Sequence, residues 1–260
     1  MTGFGGVIAL VLAETVAGAA ALTWFSPLWH ETKRSYFKIW GLTLAFVFAL
    51  WSWWGARAGV IAGDTAGRVS VQLALVTLVL VVMSTALLFA RQEAGGRIVG
   101  FASAAAAVAT LAAMAGTGRQ AYALSLFQLL AGAAFLGAAF DGLFLGHWYL
   151  TDRKLTRTPI ERYTLALLVA TCVEIVAVAT GGFSGTASSQ AFNPLLTAGA
   201  LAPWIAIGMA GATLLIAVLV RAALKGERSS AVQSATGFYY LAVVTAFTAE
   251  IAVKTRFFPI

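Results

Sequence analysis

The strongest constraint on this chain is a row of apolar runs, each long enough to cross a bilayer, separated by short connections that collect the charges. Crossing about 30 Å of hydrocarbon takes roughly 20 apolar residues in a helix. That ruler places eight spans, at residues 4–25, 38–57, 70–90, 97–116, 121–149, 163–181, 195–221 and 235–254. A backbone in lipid must satisfy its own hydrogen bonds, which leaves helices or a closed barrel. The runs are continuously apolar, without the alternation of barrel strands, so the expected fold is an all-α integral membrane protein with eight transmembrane helices. Composition excludes the soluble alternative, enzyme or otherwise: only 10% of residues are charged, against about 25% in soluble domains, and mean hydropathy is +0.88. The spans use nearly all of the 260 residues, leaving no sizeable extramembrane domain in this sequence. Glu14 interrupts the first run and no basic segment precedes it, so that run reads as a retained helix rather than a signal peptide.

A net charge of +7 suggests nucleic acid at first sight, but the basic residues are scattered among the connections. Their distribution orients the chain instead. The connections after spans one, three, five and seven hold twelve Lys and Arg, and the opposite side holds five: Arg57, Arg68, Arg119, Lys254 and Arg256. By the positive-inside rule the basic face is cytoplasmic and both termini lie outside, N-out/C-out. The expected setting is a cell membrane of the bacterial inner-membrane type, with the lipid bilayer as one partner and other membrane or peripheral subunits as the rest. The connection 182–193 has no charge and is rich in Gly and Ser, which reads as a plain turn or a flexible covering loop. The cationic stretch from Asp152 to Arg162 suits orientation, anionic lipid or a soluble subunit equally well.

Two weak internal matches suggest a duplication into halves 1–119 and 120–260. Spans four and eight align without a gap from Gly100-Phe101 and Gly237-Phe238 to Arg119 and Arg256, at an offset of 137. Spans one and five carry Ala17-Gly18-Ala19-Ala20 and Ala131-Gly132-Ala133-Ala134, each running on to a histidine, His30 or His147, at an offset of 117 that requires a gap. With four helices per half, the halves would insert in the same sense, as two parallel four-helix units.

Intramembrane carboxyls are costly and mark functional sites by default. Four of the ten acids lie inside spans: Glu14, Asp141, Glu174 and Glu250. The charge pattern places no Lys or Arg deep in a span to neutralise them. Glu174 is the most central, with small neighbours Ala170, Thr171 and Ala177; Glu250, near an end, is expected to reach the outer interface. Glu14, Glu174 and Glu250 are the candidate proton path. Span five also carries Ala134, Ala138, Gly142 and Gly146 at every fourth position, a small-residue ridge that predicts a close helix contact.

Asp141 is followed by His147-Trp148-Tyr149 at headgroup depth, and Trp29-His30-Glu31 ends span one on the same face. Interfacial aromatics are ordinarily an anchoring belt. Two histidines on one face, with Trp29, Trp148, Tyr149 and Asp141 nearby, would also suit a quinone, since imidazole hydrogen-bonds a carbonyl and exchanges its proton. The same pair, facing each other, would ligate a haem b. With one Cys and two His in all, no metal cluster of zinc or iron–sulfur spacing is expected, and no phosphate-binding or nucleophile motif is present.

Three functions stay open at this point: a redox or respiratory membrane subunit that anchors partners and binds quinone at the cytoplasmic interface, a small-solute or ion transporter using the carboxyls, and a purely structural subunit. In build, the chain is similar to the eight-helix anchors of the polysulfide and dimethyl-sulfoxide reductase type, made of two four-helix bundles. No motif of theirs can be matched here, so the similarity is one of architecture.

Overall fold

The computed structural model describes residues 3–61, 63–118, 120–152, 154–181, 201–226 and 230–255. They form eight helices long and apolar enough to span a membrane. Span one is Gly3–Phe25, followed by a 3-10 turn, Pro27–His30. Span two, Arg34–Gly59, is continuous but changes pitch, an α-helix to Thr43, a π-helical stretch Leu44–Ala49, and an α-helix from Leu50. Spans three to six are Thr65–Phe89, Glu93–Ala115, Tyr122–Thr151 and Thr158–Thr180; spans seven and eight are Ala202–Leu224 and Ser230–Lys254. The uncharged connection 182–193 lies outside the described residues. Pro203, which the sequence places within span seven, sits in that helix's first turn, where a missing N–H costs nothing.

Spans one and five are the centre. Over their most apolar windows 78% and 61% of residues are buried, against 33–44% for the other six. Span one packs on spans two, four and five; span five packs on one, six and eight; three pairs with four and seven with eight. The neighbour set of spans one to four (1–2, 2–3, 3–4, 4–1) recurs in spans five to eight, and the 1–5 contact joins the two.

Glycines make that crossing possible. A Cβ on Gly18 would lie 1.7 Å from the Ala133 carbonyl oxygen, and one on Gly137 would lie 2.3 Å from the Gly18 carbonyl carbon. Backbones this close are what small residues permit in lipid, where dispersion replaces the hydrophobic effect as the force between helices. The predicted ridge on span five divides. A Cβ on Gly142 would strike the Tyr239 ring at 2.1 Å and one on Gly146 would meet Thr236 Oγ1 at 2.5 Å, both on span eight, whereas Ala134 is exposed. With 3.6 residues per turn each four-residue step rotates about 40°, so a ridge this long winds off any single partner.

The basic face is laced by side chains. Lys33 pairs with Asp152 at 3.0 Å, Arg34 with Glu93 at 3.0 Å, and Arg162 with Glu31. Tyr149 donates its hydroxyl to the Thr156 carbonyl and so folds the connection after span five back on its own helix.

Candidate functional site

Two regions gather aromatic or ionisable side chains, a groove on the basic side and a buried ion-pair cluster toward the opposite side. On the basic side, spans two and five diverge around a groove of about 570 Å³ whose walls include Trp40, Phe48, Phe140, Phe144, His147 and Trp148. The aromatic wall is continuous. Trp40 stacks on Phe144 at 4.4 Å, and Phe48 meets Phe140 edge-on at 4.9 Å. The π-helical stretch adds a residue to the turn within this wall, between Trp40 and Ser52; Phe48 is buried in the groove, its neighbours Phe46 and Val47 stay exposed, and Ser52 donates to the Ala9 carbonyl at 2.9 Å.

His147 stands at the groove with both ring nitrogens engaged. Nδ1 lies 3.0 Å from the Leu143 carbonyl, which can only accept, so Nδ1 carries the proton. In the neutral ring Nε2 then accepts from the hydroxyl of Tyr240 on span eight. Behind the groove, Trp40 Nε1 donates to Thr23 Oγ1 at 2.9 Å, and Thr23 donates to both carboxyl oxygens of fully buried Asp141 at 3.3 and 3.4 Å.

The remaining aromatic and histidine candidates lie apart from this lining. His30 ends the 3-10 turn and is exposed. Trp29 stacks on Phe37 at 4.0 Å with the Arg97 guanidinium 5.8 Å from its ring, and Tyr149 is tied to Thr156. Of the six residues proposed from sequence, His147 and Trp148 line the groove, and Asp141 reaches it through Thr23 and Trp40.

The second region corrects two expectations. Lys254, counted by sequence among the outer connections, is fully buried, and it pairs with two of the carboxyls that were expected to have no cation: its ammonium lies 2.9 Å from Glu14 Oε1 and 2.8 Å from Glu250 Oε2. Glu250, expected at the interface, has no exposure at all. Span eight lays its last turn against spans one and five, so residues near a helix end are covered by neighbouring helices rather than by headgroups. Lys254 also reaches the Gln128 carbonyl at 3.4 Å. Glu174 on span six completes the set, within hydrogen-bonding reach of Glu250.

Span five makes room for this cluster with Gly132, where a Cβ would stand 2.7 Å from Glu14 Oε1 and 2.8 Å from Glu250 Oε2. Neither Glu174 oxygen has a hydrogen-bond donor, nor has Gln128 Oε1 an assigned partner. Three carboxyls around one ammonium sum to −2 if all are ionised, a charge that a water-poor interior does not tolerate. Neutrality of the set would take two protons, one for each carboxyl in excess of the single ammonium. Among the described residues no group of three or more His, Cys, Asp or Glu is arranged to hold a metal ion.

The sequence did carry one signal for Lys254: it stands four residues after Glu250, one turn along the same face. Gln128, Gly132, Tyr240, Thr23 and Trp40 had none, because each acquires its role from a different helix. Compared with known protein families, with curated proteins and with solved structures, the chain matches none of them.

Proposed function

We propose that the chain is a membrane subunit of a redox assembly that binds a quinone in the groove between spans two and five. The observation that carries this reading is an aromatic groove with a histidine on its wall and a hydrogen-bonded chain, Trp40 to Thr23 to Asp141, leading from that wall to a buried carboxyl. Flat aromatic walls suit a planar ring. A quinol hydroxyl replaces the Tyr240 hydroxyl as the donor to His147 Nε2 and passes it a proton, and the N–H so formed donates to the ring carbonyl that remains. The two electrons of each quinol pass to a redox centre on a partner subunit, and the two protons leave through His147 and the aqueous basic face. The setting that suits such a subunit is a bacterial inner membrane. A haem b at His147 would require breaking the Tyr240 contact, since neither ring nitrogen is free.

The test is quenching of tryptophan fluorescence by menadione and by decyl-ubiquinone, added to the full chain in mild detergent. Saturable quenching should weaken about tenfold in His147→Ala, the value of one lost hydrogen bond of about 1.4 kcal/mol. Quenching that rises linearly, and identically in the variant, would remove quinone from the groove.

The carboxyl–lysine cluster favours a second reading, a proton-coupled carrier whose coupling groups are Glu14, Glu174 and Glu250. It predicts proton uptake into proteoliposomes that Glu174→Gln abolishes while the protein inserts normally.

A further inference from the structure

Spans six and seven part at the basic face around a cleft of about 370 Å³, whose lining includes Thr158, Glu161, Arg162, Leu165, Arg221 and Lys225. At about 30 Å³ per water in the liquid, it has room for roughly a dozen waters, or for one charged headgroup. Its rim is held in shape by Arg157 at the start of span six, which donates to the Leu224 carbonyl at 3.3 Å and to the Gly226 carbonyl. Three cations face the cleft against a single acid, Glu161. Arg162 shares its charge with Glu31.

Arg221 and Lys225 are different. They stand one turn apart on span seven, both exposed, and neither makes an ion pair among the described residues. Like charges at this spacing repel, and an anion between them relieves the repulsion. Below the cations the cleft turns apolar. Leu165 lines it and is 52% exposed, and one turn deeper Val169 (57%) and, on span seven, Val218 (49%) and Leu215 (62%) continue outward-facing rows on the same helices. A polar pocket at headgroup depth that opens downward onto apolar rows has the shape of a phospholipid.

We propose that this cleft binds the phosphate of an anionic phospholipid, with Arg221 and Lys225 as its ligands, Arg162 closing the third side, and the acyl chains lying along Leu165 and Val169 and along Val218 and Leu215. The site is independent of the groove and of the carboxyl cluster, and it stands whichever function is correct.

Native mass spectrometry of the full chain in mild detergent, with phosphatidylglycerol or phosphatidylcholine added, tests it. The wild type should retain phosphatidylglycerol in preference to phosphatidylcholine. R221Q/K225Q should bind phosphatidylglycerol roughly thirty-fold more weakly, at one surface charge's worth for each residue, while R221K/K225R should bind like the wild type and melt at the same temperature. Inorganic phosphate in excess separates the sources: displacement of the lipid shows that the site reads phosphate alone, and no displacement shows that the acyl chains are needed. Equal retention of the two lipids by the wild type, or undiminished phosphatidylglycerol binding by R221Q/K225Q, overturns the proposal.

Discussion

At the scale of the residue, Lys254 decides most. A buried ammonium with two carboxyl partners is stable only as a set: removing one member strands the others, whereas replacing the set with neutral groups of similar volume does little harm. Lys254→Met alone should therefore cost about 3–5 kcal/mol and lower the amount of folded protein in the membrane. The triple change Lys254→Met, Glu14→Gln, Glu250→Gln should recover most of that loss, as read by the thermal melt in detergent. If the single and triple variants melt together, the cluster is not an interacting unit. Gly132 belongs to the same unit, since a side chain there would displace both Glu14 and Glu250.

Helix ends carry the predictions at the scale of the element. Span three closes with a Schellman-type end in which Gln92 N–H bonds to the Leu87 carbonyl at 2.9 Å, and Arg91, not glycine, takes the left-handed position at φ 64°. A side chain in that region costs about 1 kcal/mol, so Arg91→Gly should raise stability by up to that amount; a drop on melting would show that the Arg91 side chain has a compensating contact. The other end of span three is capped by Asp64, which accepts from the Gly67 N–H at 2.7 Å. Burial pushes the Asp64 carboxyl up, but the Gly67 N–H and nearby positive charge outweigh it and hold it below the ordinary aspartate value. Because the folded value is the depressed one, its contribution is present above the unfolded aspartate pKa and is lost as pH falls through the folded one. Asp64→Ala should cost about 1 kcal/mol at neutral pH, with the difference from wild type closing in acid.

On the scale of the whole molecule, two features set the architecture: the crossing of spans one and five, and the recurrence of one neighbour set in the two halves. Gly18 and Gly137 admit no side chain at the crossing, so Gly18→Leu should prevent the halves from docking and leave little folded protein, whereas Gly208→Ala, with open space around its position, should be silent. We propose that the chain is a duplicated four-helix unit, divided near residues 119 and 120. Co-expressed segments 1–119 and 120–260 should then associate in the membrane and co-purify, and Gly18→Leu should abolish that association. Failure of the unmodified segments to co-purify would argue that the eight helices fold only as one.

Hydropathy along the chain was enough to determine the eight helices, since bilayer thickness and backbone hydrogen bonding leave a run of 20 apolar residues no other choice. The Lys and Arg asymmetry set their expected direction, and it sharpens once Lys254 leaves the outer count. Four buried acids were legible as unusual, because an isolated carboxyl in hydrocarbon is costly wherever the helix sits. What each acid meets was decided only by tertiary packing. Glu250 lies one turn from Lys254 on its own helix, but Glu14 reaches that ammonium, and Glu174 comes up beside Glu250, from helices more than 70 residues away in sequence. Likewise His147 was visible while its partner Tyr240, 93 residues on, was not. Periodicity says which face of a helix is buried, and in lipid, where nearly every face is apolar, it does not say against which neighbour. That choice falls to close contacts such as Gly18 on Ala133, which exist only once the helices have been brought together.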